Sequence, residues 1–246
     1  MCWSATASTV FAVTGFAAAA WLALKKDPEP AALWVCLAWF GLMEAIQATS
    51  YLVVDQCDSP ANQLLTLAGY LHISFQPFFI NAVALHFMPK EAARKVAPLA
   101  YFVCFVGAAL MLIQLHPFAW AGQCAPARPL CGGDVLCTVS GEWHIAWLLP
   151  INGIGNSMAD NTYLGYGFIS YAVAAFYLPG LMGSWRFTLF TYLAGPVLAG
   201  MTTSNLNEWP AIWCLFSIGL LLVAMVTPLR RLLYVSDPWW MRRQRP

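Results

Sequence analysis

Apolar residues fall along this chain in long blocks divided by short polar breaks, not at the spacing that marks a half-buried strand or a surface helix. That pattern predicts membrane spans over Ser4–Leu24, Ala31–Val54, 62–88, Val96–Leu115, Tyr163–Gly183, Phe187–Thr203 and Trp209–Leu229. The sharpest breaks are Lys25 to Pro28, Asp55 to Pro60 and Lys90 to Lys95. Between 116 and 162 the pattern fails, and Cys124, Cys131 and Cys137 mark a crosslinked outer loop. Within it Trp143–Gly155 is apolar, too short to cross a bilayer, and interrupted by Pro150, so it reads as a re-entrant or interfacial segment. The expected fold is all-α: an integral membrane seven-helix bundle over residues 1–229, followed by a basic, aromatic cytoplasmic tail over 230–246.

Composition strengthens the membrane reading. Apolar residues make up 60% of the chain and charged residues 9%, against roughly 25% charged in a soluble domain. A lipid bilayer is the implied surrounding, and nucleic acid is not an expected partner. No basic region precedes Val10, so the first block is expected to be a helix of the mature protein and not a secretory signal.

Charge sets an expected orientation. With the N-terminus outside and the C-terminus cytoplasmic, only Arg128 of the 12 lysines and arginines lies outside. An eighth span would carry the arginine-rich tail outside, which favours seven. The same arrangement puts Cys2, Cys57, Cys124, Cys131 and Cys137 on the side where disulfides persist. Two bridges among five cysteines can be drawn fifteen ways. The expected members are Cys57, Cys124, Cys131 and Cys137, which leaves the Cys2 thiol beside the terminal amine as a soft-metal ligand; a Cys2–Cys57 bridge is equally open.

Candidate chemistry comes from polar groups inside the apolar blocks. Gly69–Pro89 carries His72, Gln76 and Asn81. If its helix starts near Asn62, His72 lies about 15 Å deep, half-way through a hydrocarbon layer of ~30 Å. Gln76 shares its face, Pro77 should bend the helix there, and Asn81 points to another helix contact. Glu44 is about 15 Å below Val54 on the preceding helix, at the depth of His72, and Gln47 and Tyr51 continue its face. A carboxylate in lipid must be paired or neutralised.

His144 would approach Glu44 and His72 from above, and two histidines with one carboxylate suit catalytic zinc or non-haem iron; axial haem ligation is the weaker alternative. Glu44 and His72 are thus the expected catalytic pair. Gln47, Tyr51, Gln76 and Asn152 are the expected substrate contacts, with Asn156, Asp160 and Asn161 at the entrance. The plain alternative for these side chains is interhelical hydrogen bonding, worth about 0.6 to 2 kcal/mol each.

The resulting expectation is a metal-dependent membrane enzyme, an oxidoreductase or hydrolase with an outer-side site and a small or lipidic substrate. The alternatives are a structural or assembly subunit with a membrane-protein partner, and a proton-coupled transporter. The last block has no lysine for a retinal Schiff base, and no histidine follows His144, unlike the pattern of seven-span metal-dependent amide hydrolases. Phosphate-loop, dinucleotide and haem-attachment motifs are missing. The opening run Met1 to Ser8, together with His72, Gln76-Pro77 and Glu142 to His144, resembles an uncharacterised family of bacterial and algal membrane proteins. That resemblance covers nearly the whole chain, implies a multi-span membrane protein and assigns no activity.

Overall fold

The computed structural model describes residues 3–26, 30–125, 130–156, 169–213, 219, 223 and 226–242. Four long helices open the chain: α1 (Ala5–Leu24), α2 (Ala31–Ser50), α3 (Pro60–His86) and α4 (Lys90–Ile113). Ser4 caps α1, its hydroxyl accepting from the Ala7 amide, and Pro60 starts α3 at the position where a missing N–H costs nothing. Along α1 the buried positions are Ser8, Ala12, Gly15, Ala19 and Leu22, a stripe of mostly small residues. It faces α2 closely enough that a Cβ on Gly15 would lie 3.4 Å from the Gly41 Cα. Large apolar side chains such as Val13, Phe16, Phe102 and Phe105 point outward. Small residues inside and large apolar residues outside is the distribution expected of helices in lipid.

Among the described residues three helices are long and apolar enough to cross a membrane: Ala5–Leu24, Ala31–Ser50 and Lys90–Ile113. The protein is a multi-pass membrane protein, and the seven-helix expectation is corrected to these three. Helix α3 has the length, at 27 residues, but its polar side chains keep it outside that apolar class. The expected fifth span, whose residues 163–168 lie outside the described residues, and the expected sixth are cut into pieces. Helical turns over Ile169–Ala172, Trp185–Tyr192 and Leu198–Thr202 alternate with π-helical turns over Val173–Tyr177, Gly180–Ser184 and Leu193–Val197. Pro196 lies inside the last π turn. Gly183 breaks the middle one with φ 117°, a conformation only glycine adopts freely. Of the expected seventh span, Trp209–Trp213 is helical, and most of its remainder lies outside the described residues. The basic stretch Lys90 to Lys95, expected as a connection, forms the first turns of α4.

The crosslinked loop is also different from its expectation. Cys137–Ser140 (β1) and Ile145–Leu148 (β2) form an antiparallel pair in which Cys137 stands opposite Leu148. The segment read as re-entrant or interfacial therefore supplies a strand. This hairpin lies across one end of the bundle. Asn62 at the start of α3 serves as an extra strand partner, its amide donating to Thr138 O at 2.9 Å while its Oδ1 accepts from Thr138 N at 2.8 Å. The Cys57–Cys137 disulfide joins the α2–α3 connection to β1, and Cys124–Cys131 closes a smaller loop. Trp3 N donates to Trp143 O, and Trp147 N to Asn207 O, each at 3.1 Å.

At the opposite end Leu22, Leu33, Phe87, Phe187 and Leu233 share one apolar core. Val235 N donates to Phe87 O at 2.8 Å, and the Trp239 and Trp240 indoles donate to Leu181 O and Met182 O. Lys25, Lys26, Lys90, Arg94, Lys95, Arg186, Arg230 and Arg231 all belong to elements that meet here. The bundle thus has a hairpin end, which carries the disulfides, and a basic end.

Candidate functional site

Helix α2 brings Glu44 and Gln47 fully into the interior, with Tyr51 half-buried at its C-terminal end. The spacings of three and seven residues keep them on one face, as the sequence implied. Helix α1 meets this face with Ser8, whose hydroxyl lies beside the Glu44 carboxyl and accepts from the Trp3 indole at 2.9 Å. Trp3 in turn stacks on the His144 ring with centroids 5.7 Å apart. The Tyr51 hydroxyl is 3.4 Å from His144 Nδ1. Glu44, Ser8, Trp3, His144 and Tyr51 thereby form a continuous chain of contacts beneath the hairpin.

Glu208 holds His144 in place. Its buried carboxylate accepts from the backbone amides of Glu142, Trp143 and His144 at 2.6, 3.0 and 3.0 Å. This clasp leaves no room at Gly141, where a Cβ would come within 2.5 Å of the Glu208 carboxyl. Tyr51 lies near both acids: burial, then the charges of Glu44 and Glu208, push its phenol above its ordinary range.

The backbone amide of Ile145 donates to His144 Nδ1 at 2.7 Å, so Nδ1 is an acceptor and the proton of the neutral ring resides on Nε2. Burial pushes the His144 pKa down to about 3, because it disfavours the imidazolium. The unfolded chain, with an imidazole near about 6.5, binds a proton over a range where the folded one does not. The stabilising contribution is therefore complete above pH ~6.5 and is lost as pH falls through that window, by up to about 1.4 kcal/mol per pH unit. Thermal unfolding of the protein and of His144→Phe between pH ~6.5 and ~4.5 should diverge, with the parent losing more stability. Parallel curves would show that His144 is protonated within the fold at no cost.

His72 does not join this chain of contacts. Its Nε2 lies 2.8 Å from Trp39 O, which makes that nitrogen a donor as well, and its ring stacks on Trp39 at 4.4 Å. Trp39 and Tyr51, the α2 neighbours of His72 and His144, are twelve positions apart, about 18 Å of helix rise. The expected equal depth of Glu44 and His72 assumed helix ends at Val54 and Asn62. Helix α2 stops at Ser50 and α3 begins at Pro60, which sets His72 opposite Trp39 and Phe40, about one turn nearer the basic end than Glu44. Accordingly, among the described residues no group of three or more His, Cys, Asp or Glu side chains is placed to hold a metal.

The other expected contacts divide. Gln47 Nε2 donates to Ala211 O at 3.4 Å. Gln76 accepts from the Tyr171 hydroxyl. Asn152 closes the end of α4, its amide donating to Ile113 O and His116 O at 2.9 and 2.8 Å. Asn81 binds Pro77 O and Ala174 O, each at 2.8 Å, which ties the proline turn of α3 to a neighbouring helix. The Asn156 side chain, Asp160, Asn161 and Cys2 lie outside the described residues.

Four atoms of the site have no hydrogen-bond partner of good geometry: both Glu44 carboxyl oxygens, Gln47 Oε1 and His144 Nε2. Each such buried group costs roughly 1 to 3 kcal/mol when unmatched. Three oxygens and one ring nitrogen are thus closed off from solvent within one group of contacts. Ser8 and Glu208 were missed in the sequence reading, since neither lies in a motif and both meet the site from distant parts of the chain.

No curated protein and no solved structure matches the chain. A family model does match it, over residues 6–234, and the chain belongs to that family, a family of unknown function (DUF5765).

Proposed function

We propose that the protein is a membrane enzyme that transfers protons on a small carbonyl compound bound beneath the hairpin. The reading rests on the unmatched set formed by the Glu44 oxygens and His144 Nε2. Glu44 is the base. The neutral imidazole of His144, held as the Nε2–H tautomer by the Ile145 amide, donates a hydrogen bond to the substrate oxygen and stabilises charge that develops there. Tyr51 and Ser8 orient the two ends of the site, and Gln47 Oε1 takes a substrate hydroxyl. A carboxylate base together with a neutral imidazole suits abstraction of a proton next to a carbonyl.

The alternative guest is a divalent metal, zinc or iron. Glu44 would supply oxygen ligands, but His144 would need to give up its Nε2 proton, for which the Ile145 amide must first turn away. Hydrogen-bonding chemistry requires no such rearrangement.

The test is solvent exchange. Purified protein in deuterium oxide, offered a panel of small ketones, aldehydes and hydroxyketones, should place deuterium beside the carbonyl as read by mass spectrometry. Glu44→Gln keeps the side-chain volume and should lower that rate by about 100-fold or more. Equal exchange by both proteins, or none by the parent, overturns the assignment. Stoichiometric metal in protein purified without chelator, lost in Glu44→Gln, would move the reading to the metal-dependent alternative.

A further inference from the structure

Toward the basic end, the helix Trp185–Tyr192 borders a cavity of about 230 Å³. Trp185, Thr188, Leu189 and Tyr192 line it, and their spacings of three, four and seven residues put them on one face of that helix. Tyr177 and Gly180 form part of the facing wall. Tyr177, Trp185 and Leu189 are 43, 50 and 50% exposed, so the cavity is a groove in the outer surface and not a chamber of the interior. Leu181 and Leu193 beside it also point outward, as large apolar side chains do where helices meet lipid.

A cation stands at the end of this groove. The Arg186 guanidinium lies over the Trp185 ring, 5.3 Å from its centroid, and its Nη1 donates to Leu232 O and Tyr234 O at 3.1 and 3.3 Å. Those two carbonyls hold the side chain in place without neutralising it. Among the described residues no carboxylate pairs with Arg186, and its Nε and Nη2 make no hydrogen bond. The residue is exposed, so the rest of its donor fork is accessible, in the geometry that suits phosphate oxygens. Lys90, Arg94, Arg230 and Arg231 belong to the same end of the bundle, which favours an anion there. A soluble anion would leave the groove unused, and a zwitterionic lipid would leave the charge unmatched.

We propose that this surface docks an anionic phospholipid of the phosphatidylglycerol kind, with its phosphate on Arg186 and a stretch of one acyl chain along Trp185, Leu189 and Tyr192. Only that stretch has to fit, since Trp185 to Tyr192 spans about 10 Å of helix rise, and the remainder of the lipid stays in the bilayer. The inference goes beyond the proton-transfer reading and does not depend on it, because it uses none of Glu44, Tyr51 or His144.

Bromine quenches indole fluorescence on contact, so phospholipids with dibrominated chains report their approach to Trp185. In phosphatidylcholine vesicles holding the protein, brominated phosphatidylglycerol should quench a saturable component. It should bind about fivefold more tightly than brominated phosphatidylcholine, the selectivity that one arginine supplies near a membrane surface. Trp185→Phe removes the reporter and should remove most of that component. Arg186→Gln should bring the preference to about one, whereas Arg186→Lys should keep most of it and Arg94→Gln should leave it at the parent's value. The proposal is overturned if the parent shows no preference, if Trp185→Phe quenches as the parent does, or if Arg94→Gln costs as much as Arg186→Gln, which would mean diffuse attraction to the whole basic end. Loss of the preference in inorganic phosphate at matched ionic strength would also overturn it, by making a free anion the occupant. The parent and Trp185→Phe decide the matter even if Arg186→Gln fails to fold.

Discussion

Replacing Cys57 and Cys137 together by alanine is expected to destabilise the protein by about 4.5 kcal/mol, the loop-closure value for the 80-residue separation of the two cysteines. The same relation gives only about 2.4 kcal/mol for Cys124 and Cys131, which are separated by 7 residues. The longer bridge also fastens the hairpin to the α2–α3 connection, where Asp55 N donates to Thr138 O at 3.0 Å and the Asp55 carboxylate accepts from the Ser140 amide and hydroxyl at 2.7 and 2.6 Å. Thermal unfolding in detergent should show a fall of roughly 10 °C or more for the Cys57/Cys137 variant. The Cys124/Cys131 variant should fall by clearly less. If the two variants melt together, the hairpin is held by its hydrogen bonds and the long bridge contributes little.

Glu208→Ala is expected to be nearly as damaging. Three backbone amides give their hydrogens to this one carboxylate, and hydrogen bonds to a charged group contribute roughly 1.5 to 3 kcal/mol each. Water entering the vacated space would recover part of that, leaving a net loss of about 4 kcal/mol. Glu208→Gln retains one acceptor oxygen and should fall between the two. Hydrogen exchange should locate the damage, with the amides of Glu142, Trp143 and His144 losing protection before those of α2 and α3. Uniform loss of protection through the helices, or a cost below about 1 kcal/mol, would mean that the carboxylate does not organise the turn.

Parts of this structure were plain in the amino-acid pattern, and the limits of that reading have physical causes. Helices α1, α2 and α4 each contain a long apolar block, so hydropathy located all three, although α4 begins earlier, at Lys90 in the basic stretch, and α2 ends earlier, at Ser50. Residues 169–202 are equally apolar but are cut by Pro196 and by Gly183 at positive φ; an average over a window cannot register one residue that changes the hydrogen-bond ladder. The hairpin was obscured because Thr138, Val139 and Ile145 to Trp147 make two short runs around Gly141 and Glu142, a strand signal that the longer apolar stretch from Trp143 concealed. The Glu44, Gln47 and Tyr51 face followed directly from helical spacing. His72 was set too high because its depth was counted from helix ends that lie elsewhere, and an error of a few residues amounts to a full turn of helix. Ser8 and Glu208 carried no local signal. One is a serine in an alanine-rich helix and the other a loop acid that could as well have been solvated, and only the tertiary fold brings them to the site.

The contact between Gln47 and Ala211, 164 residues apart, has a consequence for synthesis. At about 5 to 20 residues per second, the ribosome needs roughly 10 to 30 s to deliver the second partner after the first. For most of that interval α1, α2 and α3 are already made, while Glu44 and Gln47 still lack Glu208 and the Trp209–Trp213 helix. The nascent chain must shelter a carboxyl group and an amide using Ser8 and whatever water the insertion machinery admits. The last step of assembly is then the closing of the hairpin end, and a chain stalled before Glu208 would present a polar, open helix pair to the quality-control proteases of the membrane.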